Sequence, residues 1–194
     1  LDSLETWFLR VLQNTGLATA INLQIVIDDE KYTLGYLKSG RVDVSIGTVK
    51  TPVSNHECVK LGAMTYVMVA NPEFKKKYFP RSGPADFASI PAIVFNDRDD
   101  LQTAYLKRFF QYSGSYPSTS VPSTAGGKAA IMAGFGYGMQ PLMDIQKELK
   151  SKSLVMVAGD QSFERELYLH HWNYQTQALK KLIAVIEKAS ESIL

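Results

Sequence analysis

The sequence predicts an α/β fold with largely parallel sheets. β-type runs alternate with helix-type patterns along the whole chain, the order that places helices on the faces of a parallel sheet. The alternation restarts near residue 90, which reads as two similar βα lobes. The 194 residues, 45% hydrophobic and 21% charged, bury roughly 70% of the surface of the unfolded chain, so a core forms without staples.

Leu4, Trp7, Phe8, Val11 and Leu12 fall on one helical face over residues 3–12, with Ser3 as N-cap. Ile21, Leu23, Ile25 and Ile27 then alternate with Asn22, Gln24 and Val26 as a strand does, ending at Asp28-Asp29-Glu30. Tyr32 to Lys38 reads as a short helix stopped by Ser39-Gly40. Val42, Val44 and Ile46 make a strand ending at Gly47-Thr48, and Met64 to Ala70 a second, halted by Asn71-Pro72.

The rhythm continues with a buried strand at Ile93 to Phe95 and a helix whose face carries Leu101, Tyr105, Phe109 and Tyr112. Ser115 to Pro122 is loop-like with room for a short strand, and Ser123-Thr124 caps a helix over Ala125 to Gly134. Tyr137 to Met139 reads as a strand, Pro141 to Leu149 as a helix, and Leu154 to Val157 as a strand. A last strand at Leu167 to Trp172 leads to a long helix striped with Leu179, Leu182, Ile183, Ile186, Ala189 and Ile193.

Composition narrows the function classes. Lys+Arg number 21 against 19 Asp+Glu, a net charge of +2. So even a balance argues against a duplex-DNA module in this chain alone. The single cysteine, Cys58, rules out an internal disulfide and a cysteine-cluster metal site, and fits a reducing, cytoplasmic compartment. The longest uncharged apolar run, broken by glycines and Pro141, is shorter than the ~18–20 residues of a membrane span. The start of the chain, Leu-Asp-Ser-Leu-Glu, has no signal-peptide character.

No catalytic or metal constellation stands out. His56, His170 and His171 have no metal-ligand spacing. Gly134-Phe135-Gly136-Tyr137-Gly138 precedes a strand, the reverse of a dinucleotide fingerprint, and reads as turn and close-packing glycine. No cofactor, metal or enzymatic activity is expected. Two acidic clusters carry more information: Asp28-Asp29-Glu30 after one strand, and Asp97, Asp99 and Asp100 after another. Ligands of open α/β sheets bind outside the carboxyl ends of strands, where carboxylates attract a cationic small molecule. The same residues also suit simple capping of the next helix. Ser3, Thr48, Ser123 and Thr124 share this ambiguity at helix starts and strand ends, where unpaired N–H groups suit a ligand carboxylate.

The stretch Asp2-Ser3-Leu4-Glu5-Thr6-Trp7-Phe8, followed by Leu37-Lys38-Ser39-Gly40-Arg41-Val42-Asp43-Val44 and later by Gly136-Tyr137-Gly138-Met139-Gln140-Pro141, resembles the effector-binding domain of LysR-type transcriptional regulators. The opening residues, with Lys60-Leu61-Gly62-Ala63, Lys77-Tyr78-Phe79-Pro80 and Asp99-Asp100, resemble the branch that senses lysine or arginine and controls their export. The resemblance covers nearly the whole chain. It implies a periplasmic-binding-protein-like fold: lobe I over 1–68 plus 166–194, lobe II over 69–165, two crossover strands and an effector cleft between the lobes. It implies effector contacts at Ser3, Glu30, Thr48, Asn96, Asp97, Asp100, Ser123 and Thr124. The family's first strand would lie just before Asp2, and its winged helix-turn-helix lies outside this sequence; DNA is expected to be bound only through that part. The chain has Asn96 where the family pattern leads one to expect an acidic residue. Self-association, as a dimer or as a tetramer of the full-length protein, is expected through Val11, Leu12, Ile131 and Met132. The rival reading is an extracytoplasmic solute-binding protein for a basic amino acid.

Overall fold

The computed structural model describes residue 8 and residues 21–28, 32–79 and 85–193. It divides into two compact units, Leu1–Met64 with Arg165–Leu194, and Thr65–Glu164. The elements are α1 (Thr33–Lys38), β1 (Val44–Gly47), β2 (His56–Ala70), α2 (Pro72–Tyr78), β3 (Ala92–Val94), α3 (Leu101–Phe110), β4 (Ser118–Ser120), α4 (Thr124–Met132), β5 (Tyr137–Pro141), a 3-10 turn (Leu142–Asp144), α5 (Gln146–Ser151), β6 (Val155–Met156), β7 (Ser162–Trp172) and α6 (Gln177–Ile193). The long strands β2 and β7 each run across the boundary between the units.

In the first unit β1 pairs antiparallel with β7, Val44 opposite His171 and Gly47 opposite Tyr168. Thr33 Oγ1 donates to the Ile46 carbonyl at 3.1 Å, tying the start of α1 to β1. Leu34 and Leu37 of α1, Leu167 and Leu169 of β7, and Leu182, Ile183 and Ile186 of α6 are buried there, the last three on the stripe read from the sequence.

In the second unit β3 pairs parallel with β4 and with β5, while β2 pairs antiparallel with β5 and β6. The sheet is therefore mixed, not largely parallel. Parallel pairing occurs where helices α3 and α4 return the chain between β3, β4 and β5. The alternating residues of β2 and β3 sort into two cores. Met68, Ala70, Ala92 and Val94 pack with Phe74, Phe87, Tyr105 and Tyr137; Val67, Val69 and Ile93 pack with Ile131, Ile145 and Leu154. Strands buried on both faces read as continuous apolar runs, as these do. The glycines of β5's approach are close-packing residues as expected. A Cβ on Gly136 would lie 2.7 Å from the Pro91 carbonyl oxygen, and one on Gly138 2.8 Å from that of Ile93.

Several expectations need correction. The alternating segment Ile21–Ile27 is not a strand: Leu23, Ile25 and Ile27 stay 38–42% exposed. Residues 22–27 and 41–46 both line a cavity of about 340 Å³ floored by Leu179, Leu182 and Ile186, and no ladder joins them. Asn71-Pro72 does not only end β2; it starts α2, with Asn71 Oδ1 accepting from Phe74 N at 2.7 Å and proline in the first turn, where it sacrifices no hydrogen bond. Pro141 ends β5, and the expected helix after it is broken into a 3-10 turn and α5. Ile131 is fully buried, so it is core and not a contact for a second subunit, whereas Met132 is 40% exposed. The helix expected over residues 3–12, with Val11 and Leu12, lies outside the described residues, apart from Phe8.

Candidate functional site

β3 and β4 run parallel in register, Val94 beside Ser120, so the segments that follow them leave the sheet at one edge. Ser120 Oγ donates to the Phe95 carbonyl at 3.1 Å and Val121 N to the Val94 carbonyl at 2.9 Å, extending that junction past the strands. Five predicted site residues of the second unit, Asn96, Asp97, Asp100, Ser123 and Thr124, are thereby gathered at the carboxyl ends of parallel strands, the ligand-binding end of open α/β sheets. Both helices that start there, α3 and α4, point their N-termini to this edge.

Local hydrogen bonds separate these residues by role. Asn96 Oδ1 accepts from the backbone N–H of Arg98 at 2.8 Å and of Asp99 at 3.0 Å, so it forms the turn itself. Asp99 Oδ1 accepts from Leu101 N at 2.9 Å and its Oδ2 from Phe95 N at 3.4 Å, which caps α3. Ser123 Oγ accepts from Gly126 N at 3.2 Å, capping α4. Asp97 is exposed, and Asp100, the residue before α3, takes no part in capping through its side chain.

In the first unit Thr48 follows β1 and is half-buried. The turn it opens is held from two strands. His170 of β7 donates from Nε2 to the Val49 carbonyl at 2.6 Å, and the Cys58 thiol of β2 donates to the Lys50 carbonyl at 3.6 Å. Asp28, the described member of the first acidic cluster, accepts from the Tyr36 hydroxyl at 2.8 Å, and the Arg41 guanidinium lies 4.8 Å over the same ring. Ser3 and Glu30, with Asp29, lie outside the described residues.

Three buried polar side chains escaped the sequence reading. Gln102, in the first turn of α3, and Gln140, near the end of β5, are 2% and 4% exposed, and their amide oxygens have no hydrogen-bond partner among the described residues. Gln102 sits between Leu101 and Leu106, both buried, so a polar residue within an apolar face was the signal available. The third, His170, is 1% exposed, and burial pushes its pKa below the usual histidine value. Among the described residues no group of three metal-ligating side chains forms, and no helix is long and apolar enough to cross a membrane.

The sequence profile of the LysR substrate binding domain matches residues 6–190. The chain belongs to the LysR substrate-binding domain family. Among relatives of this LysR domain, the HTH-type transcriptional regulator ArgP of Photobacterium profundum is 33% identical over 183 residues, covering 93% of this chain and 61% of the relative. The ArgP of Vibrio cholerae is 30% identical over 199 residues, covering 65% of its own length. The LysR domain thus spans less than two thirds of the curated relatives it matches. Full-length LysG of Corynebacterium glutamicum with bound effector arginine is similar in structure, with a TM-score of 0.86 at 28% identity over 98% of this chain and 66% of that one. The C-terminal domains of a LysR family protein from Agrobacterium tumefaciens give a TM-score of 0.90 at 28% identity, over the whole of this chain and 94% of that one. The family's fold is periplasmic-binding-protein-like, as expected from the sequence.

Proposed function

We propose that this domain senses a small basic amino acid, arginine or lysine, for a LysR-type transcriptional regulator, and that it does so by binding, without catalysis. The similarity to LysG holding arginine carries this reading. The chemistry of the candidate residues supports it. Asp97 and Asp100 carry negative charge at the carboxyl end of the second unit's parallel strands, and Glu30 is the carboxylate that the sequence offers from the first. A guanidinium or ammonium gains charge-assisted hydrogen bonds from such carboxylates. Ser3, Thr48, Ser123, Thr124 and the N–H groups of helix N-termini suit the ligand's α-carboxylate, and Asn96 shapes the turn before α3.

Arginine or lysine would alter regulation only by binding one arrangement of the protein better than another. A coupling of ~1–3 kcal/mol gives roughly 5–150-fold control. DNA is contacted through the part of the protein outside this chain, which the near-neutral charge of the domain favours, and the full-length protein self-associates in the cytoplasm. The relatives are named as HTH-type transcriptional regulators, which favours this reading over a solute-binding protein.

The test is a gel-shift titration of operator DNA with the full-length protein and with the 194-residue chain. Arginine or lysine is expected to change the full-length complex, and the domain alone to leave duplex DNA unshifted. Salt-dependent DNA binding by the domain, or a full-length complex indifferent to both amino acids, would contradict the proposal.

A further inference from the structure

His170 and Cys58 meet under the turn that opens with Thr48. The Cys58 sulfur lies 3.5 Å from His170 Nε2, and that nitrogen donates to the Val49 carbonyl at 2.6 Å while the thiol donates to the Lys50 carbonyl at 3.6 Å. Two successive carbonyls of one turn are thus held by side chains of two different strands, β7 and β2. The ring of His170 is 1% exposed, and its other nitrogen, Nδ1, has no hydrogen-bond partner among the described residues. Burying an imidazole with one nitrogen unsatisfied costs stability, and the Val49 carbonyl is what this ring gains in return. The Nε2–H is committed to a carbonyl, so the histidine does not draw the thiol proton, and burial raises the Cys58 pKa. The pair is therefore a clip built from neutral donors, without nucleophilic character.

We propose that His170, assisted by Cys58, is a positioning residue that fixes the Thr48–Lys50 turn and so sets the direction of the Thr48 hydroxyl. This rests on the reading above, in which Thr48 touches the effector. A hydroxyl serves as a hydrogen-bond partner only within a few tenths of an ångström of the right place. The turn has no ladder of its own to supply that precision, since β1 ends at Gly47.

The experiment is a double-mutant cycle with calorimetry against arginine, using His170→Ala, Thr48→Ala and the pair, with His170→Gln as the conservative variant. Each of His170→Ala and Thr48→Ala is expected to weaken arginine about tenfold, and the pair no more than either alone, because His170 acts through Thr48. Gln carries an N–H donor and is expected to restore most of the affinity. Additive losses, or failure of Gln to rescue where Ala weakens, would overturn the inference. Hydrogen exchange of the segment 45–52, followed in the same variants without ligand, reads the turn directly. Faster exchange there in His170→Ala, with β7 still protected, is expected; unchanged exchange refutes the clip even if arginine is not the effector. Absence of arginine and lysine binding by the unsubstituted chain would instead count against the functional reading.

Discussion

Replacing Gly138 by alanine tests whether the parallel strands β3 and β5 are as close as described. The new Cβ would sit 2.8 Å from the Ile93 carbonyl oxygen and 3.0 Å from Ile131 Cδ1. The first neighbour is backbone and cannot rotate aside, and the second is fully buried in a packed core. Overpacking of this kind costs ~1–3 kcal/mol, against which the stiffer unfolded chain returns ~0.4–1 kcal/mol. The net expectation is a loss of about 1–2 kcal/mol, or roughly 2–8 °C in melting temperature for a chain of this size. Gly35 is the internal control: it lies in α1 with nothing within 4 Å of an added Cβ. Gly35→Ala should gain ~0.4–1 kcal/mol by propensity and unfolded-state entropy. Thermal melts followed by circular dichroism measure both. If Gly138→Ala melts at or above the parent temperature, the strand spacing and the close-packing role of the glycine pair are wrong.

Asn71→Ala removes the cap on α2 and the bond from Asn71 Nδ2 to the Met132 carbonyl at 3.1 Å; a loss of ~1–2 kcal/mol in denaturant unfolding is expected. The pKa of His170 is depressed by burial, so the unfolded chain takes up its proton first; stability should fall as pH drops below about 6.5, and His170→Gln should flatten that part of the profile. Glu148 is held below the usual carboxylate range, chiefly by the hydrogen bond from Lys128 at 2.9 Å. The stability this supplies is present above the unfolded pKa and is lost as pH falls through the folded one. Lys128→Met should weaken that acid-range dependence at a cost of ~0.2–1 kcal/mol at neutral pH, as both side chains are partly exposed.

The fold was legible where side-chain periodicity and burial coincide. The run Val67–Ala70, and Leu182, Ile183 and Ile186 of the α6 stripe, are buried in the pattern their spacing gives. Alternation misled at Ile21–Ile27, because it reports faces and not hydrogen-bond partners, and no ladder joins this segment to β1. Proline marks either boundary: Pro72, expected to halt a strand, also opens a helix behind an asparagine cap, and Pro141, expected to start a helix, closes a strand. At the site, strand ends pointed to Asp97 and Asp100 and helix starts to Ser123 and Thr124, while Asn96 and the grouping of all five came from the family resemblance; the parallel pairing of β3 with β4 is what sets the two turns at one end of the sheet. Capping and recognition use the same residue types, so their separation needed coordinates: Asn96, Asp99 and Ser123 bond to backbone N–H groups of their own turns. The Cys58–His170 clip was out of reach, since its partners lie 112 positions apart in the chain.

Affinity for arginine against citrulline, measured by calorimetry on the 194-residue chain at one pH and salt, bears most directly on recognition of a cation by carboxylates. The two ligands match in length and α-amino acid end, and differ in the charge of the side-chain head. A charge-assisted hydrogen bond contributes ~1.5–3 kcal/mol, so arginine should bind roughly 10–150-fold more tightly, and Glu30→Gln or Asp100→Asn should narrow that gap while leaving the melting temperature within a few degrees. Equal affinity for arginine and citrulline would contradict the assignment of a basic effector.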